Sequence, residues 1–449
     1  MTHEAMKWAG VLALAAVVPA GAKEKAVRLM TLDPGHFHAA LVQKSMYPEV
    51  DAVVNVYAPA GPDLDAHLAR IEGFNTRPKS PTTWDVKVHR SDESLALMHK
   101  DRPGNVGDQS VDNARKTDAN LASVEAGLNV LSDKPMVITP GDFELLKKAF
   151  RIADEKDVLL YDVMTERHEI TTIMQRELSL MPDLYGKQAK GSPEKPAVTK
   201  ESVHHLFKYV SGKPLKRPPW FFDETIQGEG LADVGTHLVD LIQWECFPGE
   251  ILTPGQVEML SARKWPTKLT AAQFSKATGL DGFPGELKKK LNAAGELEYV
   301  CNGEMIYALK GVHCKVSVIW NFQAPEGAKD THYSLMQGTK CALIIRQGAE
   351  QGYKPTLYIE PAEGQDLAGA VEKAIAGLQK KWPGVAVQAA GTGWQLVIPA
   401  EYKVGHEGHF AQVTEAYLGF LEKGELPDWE VPNILMKHHT IMEAYRMSR

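Results

Sequence analysis

Four cysteines are spread over 449 residues (Cys246, Cys301, Cys314, Cys341), and no two of them form a CxxC pair. This excludes a zinc ribbon and a thioredoxin-type dithiol. HExxH is also missing. The sixteen histidines include His36-x-His38, His204-His205, His406-x-x-His409 and His438-His439, yet they make no close Cys/His array, so no metal is expected. Long basic runs are absent, and 57 Asp and Glu outnumber 50 Lys and Arg, which leaves nothing to attract a polyphosphate backbone. No nucleic-acid partner is expected. Repeats and low-complexity tracts are lacking as well. With 44% hydrophobic and 24% charged residues the composition is that of a globular protein, and the length gives two or three domains.

Extended apolar runs are scarce, and the notable one is N-terminal. Lys7 precedes the apolar stretch Trp8–Val18, and Ala20-Gly21-Ala22 follows it. A cation, an apolar stretch too short to span a bilayer and an A-x-A site compose a secretory signal. Residues 1–22 are therefore expected to be removed, leaving an exported, periplasmic protein with no membrane span. Export permits a disulfide among the four cysteines, in any of three pairings.

Beyond the signal the pattern alternates. Val27–Leu32 reads as a strand, Asp33-Pro34-Gly35 as a turn, His38–Gln43 as a helix start and Ala52–Ala58 as a second strand. Thr117–Gly127 has helical spacing, with Gly127 placed to end the helix. Asn129–Ser132, Phe143–Glu155 and Val158–Val163 continue as strand, helix, strand. This spacing argues for a doubly wound parallel sheet over residues 23–165. Residues 166–449 differ. Lys187–Glu201 is polar with two prolines and reads as a surface loop, whereas Glu298–Phe322 and Lys340–Ile359 are β-rich with short turns. An α+β domain with an open, mainly antiparallel sheet is expected there, ending in helices at Leu367–Lys381 and His406–Leu421.

Three constellations carry chemistry. In the turn Asp33-Pro34-Gly35-His36-Phe37-His38 one glycine stands where a dinucleotide fingerprint has three. The second strand ends in Asn55-Val56-Tyr57, without an arginine cluster for a 2′-phosphate, which favours NAD over NADP. Asp133-Lys134-Pro135 follows a strand, so Lys134 is held extended and points into the crevice at the strands' carboxyl ends. Finally, Asp233 and His237 are four residues apart and share a face if one helix carries both. A histidine beside a carboxylate in a dry site is a tunable general base. Gly228 and Gly230 are read as letting the backbone approach a ligand.

These pieces, in this order, resemble the Gfo/Idh/MocA oxidoreductases. Asp133-Lys134-Pro135 is similar to that family's E-K-P, and Asp233, Gly235, His237 and Asp240 match D-x-G-x-H-x-x-D in full. Counting back from Pro135 places Asn113 on the asparagine of the family's T-P-N segment. The single Gly35, aspartate for glutamate at 133, and Lys116 in place of a frequent histidine mark a divergent branch with an enlarged C-terminal domain. The resemblance implies a Rossmann domain followed by a substrate and oligomerisation domain, and a tightly bound NAD. The cofactor would be met by Asp33, Gly35, His36, Phe37, His38, Tyr57, Asn113 and Lys134. It further implies a sugar or glycoside oxidised at a secondary hydroxyl, with His237 as base, Lys134 assisting, and Asp233 binding a neighbouring hydroxyl or orienting the histidine. Arg217 and Trp220 would complete the substrate site, Trp220 as a platform for the sugar ring. Homo-oligomers are compatible with the family's open sheet. Two alternatives stand beside this one: a glycosidase working by transient oxidation and elimination, and a non-catalytic sugar-binding protein.

Overall fold

The computed structural model describes residues 26–210 and 213–449; the signal-like segment falls outside the described residues. Six parallel strands form the first sheet: β1 (Leu29–Leu32), β2 (Val53–Ala58), β3 (Asp85–Arg90), β4 (Val106–Gln109), β5 (Asn129–Ser132) and β6 (Leu160–Asp162). Their order is β3-β2-β1-β4-β5-β6, which reverses direction between β1 and β4. Ligand crevices of such sheets open at this switch point, outside the carboxyl ends of the strands. β1 and β4 are wholly buried, as expected of strands covered on both faces.

The crossover helices start and stop for local reasons. Asp112 caps Asn113–Glu125 by accepting from the Arg115 N–H, and Gly127 at φ 74° closes its C-terminal turn. Thr139 and Asp142 form a reciprocal capping box on Pro140–Glu155. By contrast, the helix after β1 is only His38–Val42.

The second sheet has nine strands and is largely antiparallel. Its central strand, Val198–Phe207, pairs parallel with Val312–Gln323 on one side and antiparallel with Thr331–Gln337 on the other. Residues 198–201, expected in a surface loop, are therefore the start of the middle of a sheet. Their alternating polar side chains are the reason: Lys200 is polar in sequence yet fully buried, where it pairs with Glu245 and donates to Ser334 Oγ at 2.7 Å. The edge strand Val257–Leu269 pairs with Leu297–Leu309 through two register shifts.

Helices Ile170–Ser179, Gly235–Cys246 and Glu430–Met447 cover this sheet and join one large core with the helix Pro140–Glu155. The helix His406–Lys423 instead returns to the first sheet, burying Phe410, Val413, Tyr417 and Leu418 beside Val54, Val56 and Tyr161. All four cysteines are free. Among the described residues no helix is long and apolar enough to cross a membrane.

Candidate active site

The turn after β1 lies at the switch point. Asp33 adopts φ 42°, and its N–H donates to Tyr57 O at 2.7 Å; the His36 N–H donates to Ser110 O at 3.1 Å. The turn is thus tied to the ends of β2 and β4. A Cβ on Gly35 would meet Asp63 Oδ2 at 3.7 Å, Trp220 Cζ2 at 3.8 Å and the Asp112 N at 3.9 Å, ordinary contacts that mark the crevice walls. Asp33 and Asp112 share Arg115, each at 2.6 Å.

From the end of β5 come Asp133 and Lys134. Asp133 is buried and faces two imidazoles: His38 Nδ1 lies 2.9 Å from Oδ1 and His36 Nδ1 3.4 Å from Oδ2. Burial, reinforced by neighbouring cations, drives both histidines well below their ordinary pKa, so they are neutral. Lys134 Nζ reaches across to the second unit and pairs with Asp233 Oδ1 at 2.6 Å. Burial opposes both charges of this pair, but each partner outweighs it: Lys134 is raised and Asp233 lowered.

Asp233 does not orient His237, contrary to the one-helix expectation. The chain breaks at Val234 between the helices Gly230–Asp233 and Gly235–Cys246, and the Asp233 carboxylate turns to Lys134. His237 Nδ1 is buried without a hydrogen-bond partner. Burial, then Lys134 and His406, push this imidazole down to about 3, which keeps it neutral. Its helix is held from behind, because Asp240 accepts two bonds from Arg167 at 2.6 and 2.7 Å. Gly228 and Gly230 serve packing rather than a ligand: Gly228 has φ 89°, and Cβ atoms would strike Ile138 Cγ2 at 2.7 Å and Cys301 O at 1.9 Å.

Three further residues of that expectation take defined places in the structure. Tyr57 is fully buried, stacked on His89 at 4.4 Å, with its phenol donating to Asp101, and its ring is part of a small core. Asn113 is buried and bridges the units, its Nδ2 donating to Gln227 O at 2.8 Å and its Oδ1 accepting from Lys116 at 2.6 Å. Trp220 leans over the turn, and its indole N–H donates to Asp63 Oδ2 at 3.2 Å. Phe37, a second ring on this rim, is exposed and lies under Arg70.

Arg217 donates to the carbonyls of Leu206 and His205 and lies over Phe221 and Trp320 at 4.4 and 5.1 Å. Beside it His204 stacks on Trp320, and His204, His205 and Lys208 converge on Asp330. The sequence reading missed this cluster, whose one signal was the His204-His205 pair. It also missed Glu166, placed just after β6, whose carboxyl is pushed up to about 7 by burial and by Glu169.

The comparisons come from sequence and from structure. Residues 174–449 match the family described as "Putative oxidoreductase C terminal domain". No curated protein matches the chain. A solved structure from Parabacteroides merdae, described as "a putative oxidoreductase", is 52% identical, with a TM-score of 0.91 over 94% of this chain and 98% of that one. Levoglucosan dehydrogenase, solved with NADH and L-sorbose, has a TM-score of 0.58 at 13% identity, covering 94% and 97% of the two chains. A 3-ketoreductase from Actinomadura kijaniata, solved with NADP, has 0.57 at 13%, covering 94% and 98%. At that identity the last two establish the shared fold alone.

Proposed function

The chain belongs to the family defined by this oxidoreductase C-terminal domain, and from that premise we propose that it is a nicotinamide-dependent oxidoreductase of the Gfo/Idh/MocA type acting on a secondary hydroxyl of a sugar or glycoside. The observation that carries the reading is the inter-unit pair Lys134–Asp233 with a neutral His237 close by. Lys134, just after β5, and Asp233, at the end of a four-residue helix, join the two units, with His237 on the following helix. That sugar-acting, NADH- or NADP-bound proteins share the fold supports the substrate class.

The crevice suits a dinucleotide in two respects. Gly35 keeps side-chain bulk off its floor, and Asp33 and Asp63 offer carboxylates for ribose hydroxyls. That acidic lining favours NAD over NADP. The cofactor, when bound, supplies the hydride acceptor. In this reading Lys134 donates from Nζ to the reacting oxygen, already ordered by Asp233. His237 accepts the hydroxyl proton, a contribution typically worth about 10²–10⁴-fold. Asp233 accepts from a neighbouring hydroxyl through its remaining oxygen.

Redox-neutral glycoside cleavage is the second reading. Glu166, its carboxyl pushed up to about 7, adds a proton-transfer group beyond those one alcohol oxidation uses. Export, if residues 1–22 are a signal, bears on both readings, because little free NAD is expected outside the cytoplasm. A cofactor held throughout the cycle answers that difficulty, and a Kd of about 1 nM corresponds to about 12 kcal/mol. The test is to dialyse mature protein exhaustively, identify any retained nucleotide, and assay sugars and glycosides without added cofactor. Retained NAD with turnover supports the proposal. Failure to bind any nicotinamide nucleotide at millimolar concentration leaves only a sugar-binding protein.

A further inference from the structure

The group around Asp133 contains more than a hydrogen bond. His36 and His38 lie on one side of the turn, their ring centroids 3.9 Å apart, and both direct Nδ1 at the same carboxylate. One donor atom from each of the three residues lies within 4.8 Å of the others. His38 and Asp133 are 6% and 2% exposed. One of the two contacts is a hydrogen bond; the other is not. Asp133 Oδ2 and His36 Nδ1 face each other at 3.4 Å, both buried and both without a hydrogen-bond partner. A buried carboxylate oxygen is costly to leave unsatisfied.

The spacings suggest what is missing. An ion with ligands at about 2.0–2.2 Å separates neighbouring ligand atoms by about 3.0 Å in octahedral and about 3.4 Å in tetrahedral geometry. Here His36 Nδ1 and Asp133 Oδ2 stand 3.4 Å apart, while the 2.9 Å between His38 Nδ1 and Asp133 Oδ1 is a hydrogen bond that an ion would replace. Two imidazoles and one carboxylate are a donor set for first-row transition ions rather than for Ca²⁺ or Mg²⁺. Of the two ammonium groups nearby, Lys134 is neutralised by Asp233 at 2.6 Å. Lys116 is the remaining opposing charge, and its Nζ is turned to Asn113 Oδ1 at 2.6 Å.

We infer that His36, His38 and Asp133 form a binding site for one divalent transition-metal ion such as Zn²⁺ or Mn²⁺, with open coordination positions for a hydroxyl or carbonyl oxygen of the ligand. The inference goes beyond the oxidoreductase reading and does not depend on it. The ion is held by side chains of the turn and of β5, and its binding is measurable without nucleotide or substrate. Adjacent in sequence to Lys134, it would polarise an oxygen on the same side of the crevice.

The experiment uses full-length mature protein, stripped with chelator and titrated with Zn²⁺ by calorimetry and with Co²⁺ by visible absorbance. One ion per chain at micromolar Kd or tighter is expected, with Co²⁺ d–d bands. His36→Gln and His38→Gln should each weaken binding at least about 100-fold, as loss of a ligand does. Asp133→Asn should abolish the bands. His313→Ala, remote from the turn, should leave Kd unchanged. Thermal melts establish that each variant is folded, and the two histidine variants keep the test decisive if Asp133→Asn does not fold. No binding below about 100 μM, or binding that survives both histidine substitutions, overturns the site. Neither result bears on nucleotide binding.

Discussion

At the residue scale the informative group is Lys134, because it is at once a proposed reactant and half of a buried ion pair. Removing one partner of such a pair leaves the other charge stranded, at a cost of about 3–5 kcal/mol. Lys134→Ala is therefore expected to lose activity and also to melt early, since Asp233 remains as an unpaired buried carboxylate. The double variant Lys134→Ala/Asp233→Asn should regain much of that stability while staying inactive. Equal melting temperatures for single and double variants would show that the pair is not coupled. His237 behaves differently. It makes no ion pair, so His237→Ala should fold with little loss of stability while turnover drops at least about 100-fold. Full turnover in that variant would remove His237 from the mechanism.

At the scale of elements, the site depends on where one helix is clamped. Gly235–Cys246 carries His237 on one turn and Asp240 on the next, and Asp240 is held by Arg167, which also reaches Glu430 at 2.8 and 2.9 Å. Arg167 touches none of the proposed reacting groups, so it is a positioning residue. Arg167→Lys keeps the charge but not the two-pronged geometry. Its expected effect is a lower kcat with little change in KM; a change in KM alone would count against this role. Elements also explain how far the sequence could be read. The parallel sheet, the Lys134 turn and the Asp233–His237 segment were legible because periodicity, proline and short motifs are local signals. The strand Val198–Phe207 was hidden by Lys200, whose burial makes sense only once Glu245 and Ser334 are known to surround it. Likewise the break at Val234 and the turning of Asp233 to Lys134 depend on a residue 99 positions away. His36-x-His38 was visible, yet its third partner lies 95 residues beyond His38 and no spacing rule connects them.

For the whole molecule, the two sheets are joined by more than a crevice. Asp162, at the end of β6, accepts from Lys437 at 2.7 Å, and Lys437 also donates to Asp240 at 3.2 Å, all within the interior. The helix His406–Lys423 closes the first core from the far end of the chain. Neither unit can lose its packing without exposing part of the other, so a single calorimetric transition is expected. Its pH dependence follows from buried histidines. Burial first lowers His67, His168 and His409 to about 4 and His237 and His332 to about 3, with nearby lysines or arginines adding to it at all but His409. In the unfolded chain each returns to about 6.5. Between those values the unfolded state binds protons that the native state does not, so stability must fall as pH falls from about 6.5 towards 4. The depressed carboxylates Asp162, Asp233 and Asp240 act lower, since their stabilisation is lost only below their unfolded value of about 4. Net uptake of two protons would tilt the curve by about 2.7 kcal/mol per pH unit. The expected result is a melting temperature that falls between pH 6.5 and 4.5 in a single transition, by less than the histidines alone would give, because Glu166, raised to about 7, and Glu169, Glu245 and Glu430, also raised by burial, take up protons in the native state over the same window. A flat profile that persists in the Glu166→Gln variant would mean that native and unfolded chains bind protons equally, against the burial-lowered histidines described here.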